Sequence, residues 1–467
     1  MENIISFITS HSEIKTVISY FSCELLLLMG VVVNLFLLFF RKKLNVAKIS
    51  KIITVAVFAL SVLVLSVIYV GCFMKLDGYG FTLLAKYLET YRVNFPVKLL
   101  IDVFLMIFIL ISFNDVKKFN YKVPILNSIV LLLAICGGLV FCSEKYIATY
   151  LLLEAVTILV YKFASNMRIG KFSVFSKDYI VLSLSATVIF LAFYVLRLYA
   201  DKTIQISVTN ICLSIAMLMK IGIFPFYNFL ILKPAKTNLP FSLLLFGYLP
   251  WIGVMAFNKM SNIIMPTDEV YQISMITFIL ISLTTFALYA SKHKNIIKFL
   301  ANFSYFINGL CILNIIYFQG NKESIWLSAM FSFVLIGLYS LISIVKNNYK
   351  LNKINVANLK GIFLNNRLFA FLFSGILIMA TGLIPNGITE ILLETLRNIY
   401  IYDKTGFLAI GIIICLMLLI LFNSLKIVQN IYTFEKNRSM PVLAKRTTFN
   451  YVVPAVFMIF LILKVIL

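Results

Sequence analysis

Long apolar runs follow one another along the whole chain, separated by short polar segments. A membrane-spanning helix needs about 20 consecutive, mostly apolar residues. Fourteen runs meet this requirement and predict an all-α polytopic membrane protein. The predicted spans run roughly 16–40, 51–73, 95–113, 123–142, 146–165, 178–200, 205–232, 238–257, 271–290, 296–318, 325–346, 367–393, 405–425 and 449–467.

Composition and charge agree with this prediction. The chain is 62% hydrophobic and 13% charged, whereas soluble domains contain about 25% charged residues. Its net charge is +23, and most Lys and Arg lie in the loops after odd-numbered spans, as in segments 41–51 and 345–367. This is the positive-inside pattern, which indicates a lipid bilayer as the partner rather than nucleic acid. It predicts a multi-pass membrane protein with both termini on the outer side.

The chain contains no recognisable site for a cofactor or a metal ion. The seven cysteines are scattered through the apolar runs, and the two histidines, His11 and His293, are far apart. No zinc motif, phosphate-binding loop, dinucleotide fingerprint or nucleophile elbow is present. No Pro-, Gly- or Ser-rich linker divides the chain, and no signal peptide is expected because the first apolar run lacks a basic segment before it. We therefore expect one transmembrane domain over residues 1–467 that binds no cofactor.

Two predicted spans contain helix-breaking residues. Span 7 carries Gly222 and Pro225, and span 12 carries Gly382, Pro385 and Gly387. Helix breaks inside a membrane are tolerated where protein or a water-filled cavity satisfies the freed backbone groups. Interrupted helices in corresponding positions are typical of transporters built from two repeats.

A single lysine, Lys220, lies about fifteen residues into span 7, immediately before the first break. Burying a charge near the centre of a bilayer costs at least about 2.5 kcal/mol. Lys220 is therefore either a proton or ion relay residue or part of a structural ion pair. Glu154 in span 5 is the natural partner, because a nearby carboxylate favours the ammonium while burial disfavours it.

Other charged residues inside the predicted spans allow more than one interpretation. Lys98 and Asp102 are one helical turn apart in span 3 and could pair with each other, and Glu24 lies in span 1. Glu390 and Glu394, one turn apart after the second break, either line a pathway or mark the end of a span.

Several segments together resemble subunit N of bacterial NADH-quinone oxidoreductase, the counterpart of mitochondrial complex I subunit 2. These are "CELLLLMGVVVNLFLLFFRKK", "LLLEAVTILVY", "MKIGIFPFYNF", "KNIIKFLANFSYFINGL" and "NLKGIFLNNRLFAFLFSGILIMATGLIP". The family carries a glutamate in span 5, matched by Glu154. It also carries a K-x-G-x-x-P-F-H-x-W motif in span 7, matched by Lys220, Gly222, Pro225 and Phe226.

The resemblance implies roles for individual residues. In this antiporter-like family Lys220 would be the central proton carrier of one half-channel and Glu154 its modulating partner, with Lys298 near a basic pair of the family pattern. Two inverted repeats, about 123–257 and 271–429, would follow.

The chain departs from the family pattern at several positions. Tyr227 and Phe229 replace the motif's histidine and tryptophan, Trp251 stands where a lysine is expected, and the span 10 histidine falls near Ile307. The lysine after the second break is missing, and Glu390 or Glu394 lies nearby. The predicted onward relay is therefore altered, while the predicted fold is not.

The function that the resemblance implies is proton translocation by a membrane-arm subunit of NADH-quinone oxidoreductase. NADH, FMN, iron–sulfur clusters and quinone would be used by other subunits. The neighbouring partners would be the sister antiporter-like subunit M and the small subunit K, in a bacterial inner or mitochondrial inner membrane. Two alternatives are a subunit of a multisubunit cation/proton antiporter and a diverged structural subunit that does not pump.

Overall fold

The fold is described from a computed structural model. It covers residues 22–40, 45–73, 82–116, 122–143, 145–167, 172–199, 205–223, 226, 239–264, 269–318, 322–349, 355–402, 406–433 and 451–459. These residues are helical almost throughout, and the isolated bridge between Asn295 and Asn355 is the β feature found among them. The predicted all-α fold is confirmed.

The chain divides into two compact units, Met1–Met167 and Arg168–Leu467. The helices of the first unit are α1 (Ser22–Phe36), α2 (Val46–Phe73), α3 (Thr82–Val116), α4 (Val123–Cys142) and α5 (Tyr146–Asn166). The longer helices of the second unit are α6 (Phe172–Tyr199), α7 (Gln205–Ile221), α8 (Leu239–Ile264), α9 (Glu269–Lys292), α10 (Ile296–Tyr317) and α11 (Lys322–Tyr349). They are followed by α12 (Ile362–Asn365), α13 (Arg367–Ala380), α14 (Gly387–Tyr402), α15 (Gly406–Tyr432) and the helical segment 451–459.

Eleven helices within the described ranges are long and apolar enough to cross a membrane. They correspond to predicted spans 1 to 6, 8 to 11 and 13. Spans 7 and 12 contain the shorter apolar helices Thr209–Ile221 and Arg367–Ala380. The count of fourteen stays a prediction, because parts of spans 7 and 14 lie outside the described residues.

Helix α4 is the centre of the first unit and packs against α1, α2, α3 and α5. A buried amide and hydroxyl network joins three of these helices. The Asn34 amide donates to the Thr54 hydroxyl at 3.0 Å, Ser50 donates to Asn34 Oδ1 at 2.6 Å, and Asn127 donates to Ser50 at 2.8 Å. Because hydrocarbon offers no competing partners, such hydrogen bonds hold membrane helices together.

In the second unit, α8, α10 and α11 are buried over their full apolar length. Helix α8 contains a π-helical turn over Leu244–Tyr248, just before Pro250. Proline has no N–H, so the Phe246 carbonyl four residues earlier loses its helical donor. Ser304 of α10 donates to that carbonyl at 2.5 Å, and Ser332 of α11 donates to the Gly247 carbonyl at 2.9 Å. Neighbouring serines therefore satisfy the carbonyls around the irregular turn.

The interruption predicted in span 12 is present. Helix α13 ends at Ala380, Gly382 has a positive φ of 75°, and α14 begins at Gly387. Buried Asn386 joins the two ends. Its amide donates to the Met379 carbonyl at 2.9 Å and the Ile384 carbonyl at 2.8 Å, while Oδ1 accepts from the Ile388 N–H at 2.8 Å.

Replacing Asn386 with alanine is expected to destabilise this interruption by about 1–3 kcal/mol, since the N–H groups of Ile388 and Thr389 lose the acceptor Asn386 Oδ1. The measurement is the thermal unfolding midpoint of the purified protein in detergent. Asn430→Ala serves as control, because the Asn430 amide donates only within its own helix, to Lys426. Equal unfolding midpoints for the two variants would contradict the bridging role.

Candidate functional site

Lys220 is buried, with 4% of its surface exposed. It lies in the last turn of α7, and its Nζ donates to the Ser183 hydroxyl on neighbouring α6. Ser183 is itself buried at 9% exposure. The structure therefore places an ammonium group inside an apolar helix pair and supplies it with a neutral hydroxyl, which costs less to bury than a second charge.

The helix break begins one residue after Ile221. Gly222 has a φ of 85°, a left-handed conformation that glycine adopts without steric cost. The N–H groups of Gly222 and Ile223 both donate to the Leu218 carbonyl at 3.0 Å. A helix C-terminus carries partial negative charge, which stabilises a cation in the last turn. The predicted break therefore places the Lys220 ammonium at a helix end that stabilises positive charge. Pro225 lies outside the described residues.

The end of α7 packs tightly against α8 at Gly253. A Cβ atom at Gly253 would lie 2.7 Å from Ile221 Cγ1 and 3.6 Å from Ile221 Cα. Real Cβ atoms do not approach that closely, so any side chain here would displace Ile221. Ile221 follows Lys220 directly and is the last residue of α7. This contact therefore holds the last turn of α7, which carries Lys220, against α8.

Gly253→Ala is expected to destabilise the protein by about 1–3 kcal/mol through overpacking against Ile221. The double variant Gly253→Ala/Ile221→Ala should recover part of this loss, because it removes the clashing side chain. Unfolding midpoints in detergent measure both effects. Gly411→Ala is the matched control, since nothing lies within 4 Å of a Cβ at that position of α15. A Gly253→Ala midpoint equal to that of Gly411→Ala would show that the contact is unimportant.

Glu154 lies in the middle of α5 and is half-buried. Its backbone carbonyl accepts a hydrogen bond from the Thr157 hydroxyl at 2.7 Å. Glu154 belongs to the first compact unit and Lys220 to the second. Their pairing therefore stays a prediction.

The two glutamates after the second break lie on α14. Glu390 is in its first turn, Glu394 is one turn further on, and both are exposed. A carboxylate in the first turn is stabilised by the positive end of the helix dipole. This accounts locally for Glu390, and a role for either residue in a proton pathway stays a prediction.

Lys298 lies in the first turn of α10 and is half-buried. His293, in the loop before that helix, stacks on the Tyr289 ring with a centroid distance of 6.1 Å. Burial lowers the pKa of His293, and the positive charge of Lys298 lowers this pKa further. The imidazole therefore favours its neutral form, and Lys298 places a positive charge near it from the first turn of α10.

Two of the positions that depart from the family motif, Trp251 and Ile307, are filled by packing residues. Trp251 of α8 is fully buried, with its ring centroid 6.4 Å from that of Phe333. Ile307 of α10 is 1% exposed. The adjacent Asn308 donates to the Ser304 carbonyl at 2.7 Å and accepts from Ser328. Tyr227 and Phe229 lie outside the described residues.

Three contacts of buried charges were not foreseen from the sequence. Lys98 forms an ion pair with Glu24 of α1, whereas the sequence suggested pairing with Asp102, one turn away. Asp102 instead accepts a hydrogen bond from Ser61 at 2.6 Å. Ser183 was not selected either, because a serine within an apolar span gives no signal by itself.

No protein-family model matches the chain. Solved structures place it in the fold class of antiporter-like membrane subunits. A chain of respiratory complex I from Thermus thermophilus with bound aureothin has a TM-score of 0.75 at 15% identity, covering 94% of this chain and 96% of that one. A chain of the membrane-bound sulfane sulfur reductase, an archaeal respiratory membrane complex, has a TM-score of 0.72 at 13% identity, with 94% and 93% coverage.

A chain of the Mrp complex from a Dietzia species has a TM-score of 0.62 at 16% identity, covering 75% of this chain and 69% of that one. At the level of sequence, the chain is similar to NADH-ubiquinone oxidoreductase chain 2 of Dictyostelium discoideum. The two are 26% identical over 392 residues, which is 76% of this chain and 78% of the relative. The resemblance stated from the sequence is confirmed.

Proposed function

We propose that this chain is a membrane-arm subunit of an NADH-quinone oxidoreductase and takes part in proton translocation coupled to electron transfer from NADH to quinone. The observation that carries the proposal is Lys220, a buried ammonium at the end of an interrupted helix. The similarity to NADH-ubiquinone oxidoreductase chain 2 supports this respiratory assignment. Burial disfavours the charged form of a lysine, whereas the partial negative charge of a helix C-terminus favours it. Because these two effects oppose each other, a lysine in such a place can gain and lose a proton.

The chain's contribution is proton movement rather than redox chemistry. NADH, FMN, iron–sulfur clusters and quinone would be bound by other subunits of the complex. The proposed neighbours are the sister antiporter-like subunit M and the small subunit K. Both termini would face the outer side of a bacterial inner membrane or a mitochondrial inner membrane, as the distribution of Lys and Arg in the loops predicts.

A second candidate is a subunit of a cation/proton antiporter, which the fold shared with the Mrp complex favours. The two functions differ in what drives proton movement. A respiratory subunit moves protons when NADH is oxidised, whereas an antiporter moves them when a cation gradient is applied.

The experiment compares inverted membrane vesicles from cells with and without the gene for this chain. For a respiratory subunit, deletion should abolish the NADH-driven acidification that depends on the oxidoreductase and should leave sodium-driven proton exchange unchanged. Affinity purification of the tagged chain should co-isolate quinone-reducing subunits. Loss of sodium-driven exchange with normal NADH-driven acidification would favour the antiporter instead.

A further inference from the structure

The first unit contains a buried cluster of charged residues that the proposed function does not use. Glu24 of α1 and Lys98 of α3 form an ion pair, and Asp102 lies one turn after Lys98. Asp102 is fully buried, Lys98 is 1% exposed and Glu24 is 8% exposed. We call Glu24, Lys98, Asp102 and Ser61, which donates to Asp102 Oδ2, the α1–α3 cluster.

The hydrogen bonding of the α1–α3 cluster is incomplete. Asp102 Oδ1 and Glu24 Oε2 are buried atoms without a hydrogen-bond partner in the described part of the protein. The aliphatic stem of Lys98 packs along Gly138 of α4, where a Cβ would lie 3.5 Å from Lys98 Cε. The site is therefore enclosed on the side of α4 and contains two carboxylate oxygens without a described donor.

The charges within the α1–α3 cluster do not cancel. Two carboxylates face one ammonium, so full ionisation would leave one net negative charge in an apolar interior. The other titratable groups on the packed helices, where the structure describes their side chains, are Cys23 of α1, Lys48 and Lys51 of α2, and Cys136 and Cys142 of α4.

None of these groups supplies a second cation next to Asp102. Lys51 precedes Ser61 by ten residues, which is about 15 Å along α2 at 1.5 Å per residue. It lies over the Phe113 ring, 4.5 Å from the ring centroid, and Phe113 is three turns beyond Asp102. A buried charge without compensation costs several kcal/mol, and a titratable group avoids that cost by taking up a proton.

We propose that Asp102 in the α1–α3 cluster is a proton-binding residue that reversibly takes up and releases one proton. In the release step its O–H bond breaks, the electron pair stays on the carboxylate oxygen, and the proton passes to water. Glu24 contacts the Lys98 ammonium directly. Among the described residues, Asp102 accepts a hydrogen bond from the neutral hydroxyl of Ser61, which stabilises a carboxylate less than an ammonium does.

The inference adds a second proton-binding position to the chain. Lys220 and Glu154 lie on α7 and α5, whereas the members of the α1–α3 cluster lie on the first three helices. The charges and contacts of these four side chains are the same whether or not the chain belongs to a respiratory complex.

The test is infrared difference spectroscopy of the purified complex containing the full-length chain, with pH cycled in the presence of lipid. The wild type should show the carbonyl stretch of a protonated carboxylic acid at neutral pH. Its amplitude should fall reversibly as the pH is raised, and it should shift in deuterated water. Asp102→Asn, which keeps the side-chain shape and the acceptor for Ser61, should lose this band. Glu394→Gln, on an exposed carboxylate of α14, should retain it.

Ser61→Ala provides a second variant that keeps the carboxyl group. It removes a donor to the acid, and a carbonyl that loses a hydrogen bond vibrates at higher frequency, so the same band should move upward. An unchanged band in Asp102→Asn, or a band whose amplitude is independent of pH, would overturn the proposal. So would a Ser61→Ala spectrum identical to that of the wild type.

Discussion

Lys220→Ala is expected to reduce both NADH oxidation and NADH-driven proton uptake severalfold while leaving the complex assembled. The ammonium is buried at the end of α7, and alanine can neither bind a proton there nor replace the hydrogen bond to Ser183. Assembly should persist because removing a buried charge relieves a desolvation cost. The measurement is proton uptake and NADH oxidation in vesicles, compared at equal content of the complex.

Lys220→Arg should be nearly as damaging as Lys220→Ala. Arginine keeps the positive charge but is effectively always protonated, so it cannot release its proton. Lys426→Ala is the matched control, because Lys426 is an exposed lysine of α15 in the same unit. Normal turnover and a normal ratio of protons to electrons in Lys220→Ala would assign the lysine a structural role and favour a subunit that does not pump.

Lys98→Met is expected to destabilise the first unit by about 3–5 kcal/mol. It removes the only cation described in the α1–α3 cluster and leaves the Glu24 carboxylate buried without its ion-pair partner. The double variant Glu24→Gln/Lys98→Met should lose much less, because both members of the ion pair are then neutral. Unfolding midpoints of the four members of this double-mutant cycle measure the coupling.

Lys145→Met is the control for the Lys98 series, since Lys145 is exposed at the start of α5 and its replacement should change stability by less than about 0.5 kcal/mol. If the double variant were as unstable as Lys98→Met, the loss would reflect packing of the lysine stem on Gly138 rather than charge. If Lys98→Met were as stable as Lys145→Met, the ion pair would contribute little.

Features that depend on local sequence could be predicted well. The apolar runs gave the positions of the eleven long helices, because spanning hydrocarbon requires about 20 apolar residues whatever surrounds them. The interruption at Gly382–Gly387 was predictable because glycine and proline act on their own backbone. So was the end of α7 at Gly222, whose positive φ suits a residue without a Cβ.

Contacts between side chains on different helices could not be predicted in the same way. Lys98 and Asp102 are one turn apart, which suggested that they pair, yet Lys98 pairs with Glu24, 74 residues earlier in the chain. Asn386 was not singled out, although it joins the two ends of the interrupted span 12. The π-helical turn of α8 was missed, because its carbonyls depend on serines from α10 and α11.

The sequence by itself determined that the protein is a polytopic membrane protein, where its helices lie, and that a lysine stands beside a break in one of them. These properties follow from transfer free energies and backbone preferences, which each segment carries with it. Three contacts were decided by the tertiary structure alone. Lys220 donates a hydrogen bond to Ser183, Glu24 forms an ion pair with Lys98, and Asp102 accepts a hydrogen bond from Ser61. The apolar surfaces of these helices resemble one another, so the apolar sequence does not specify which helices become neighbours. The packing of the helices therefore determines which polar groups form contacts inside the membrane.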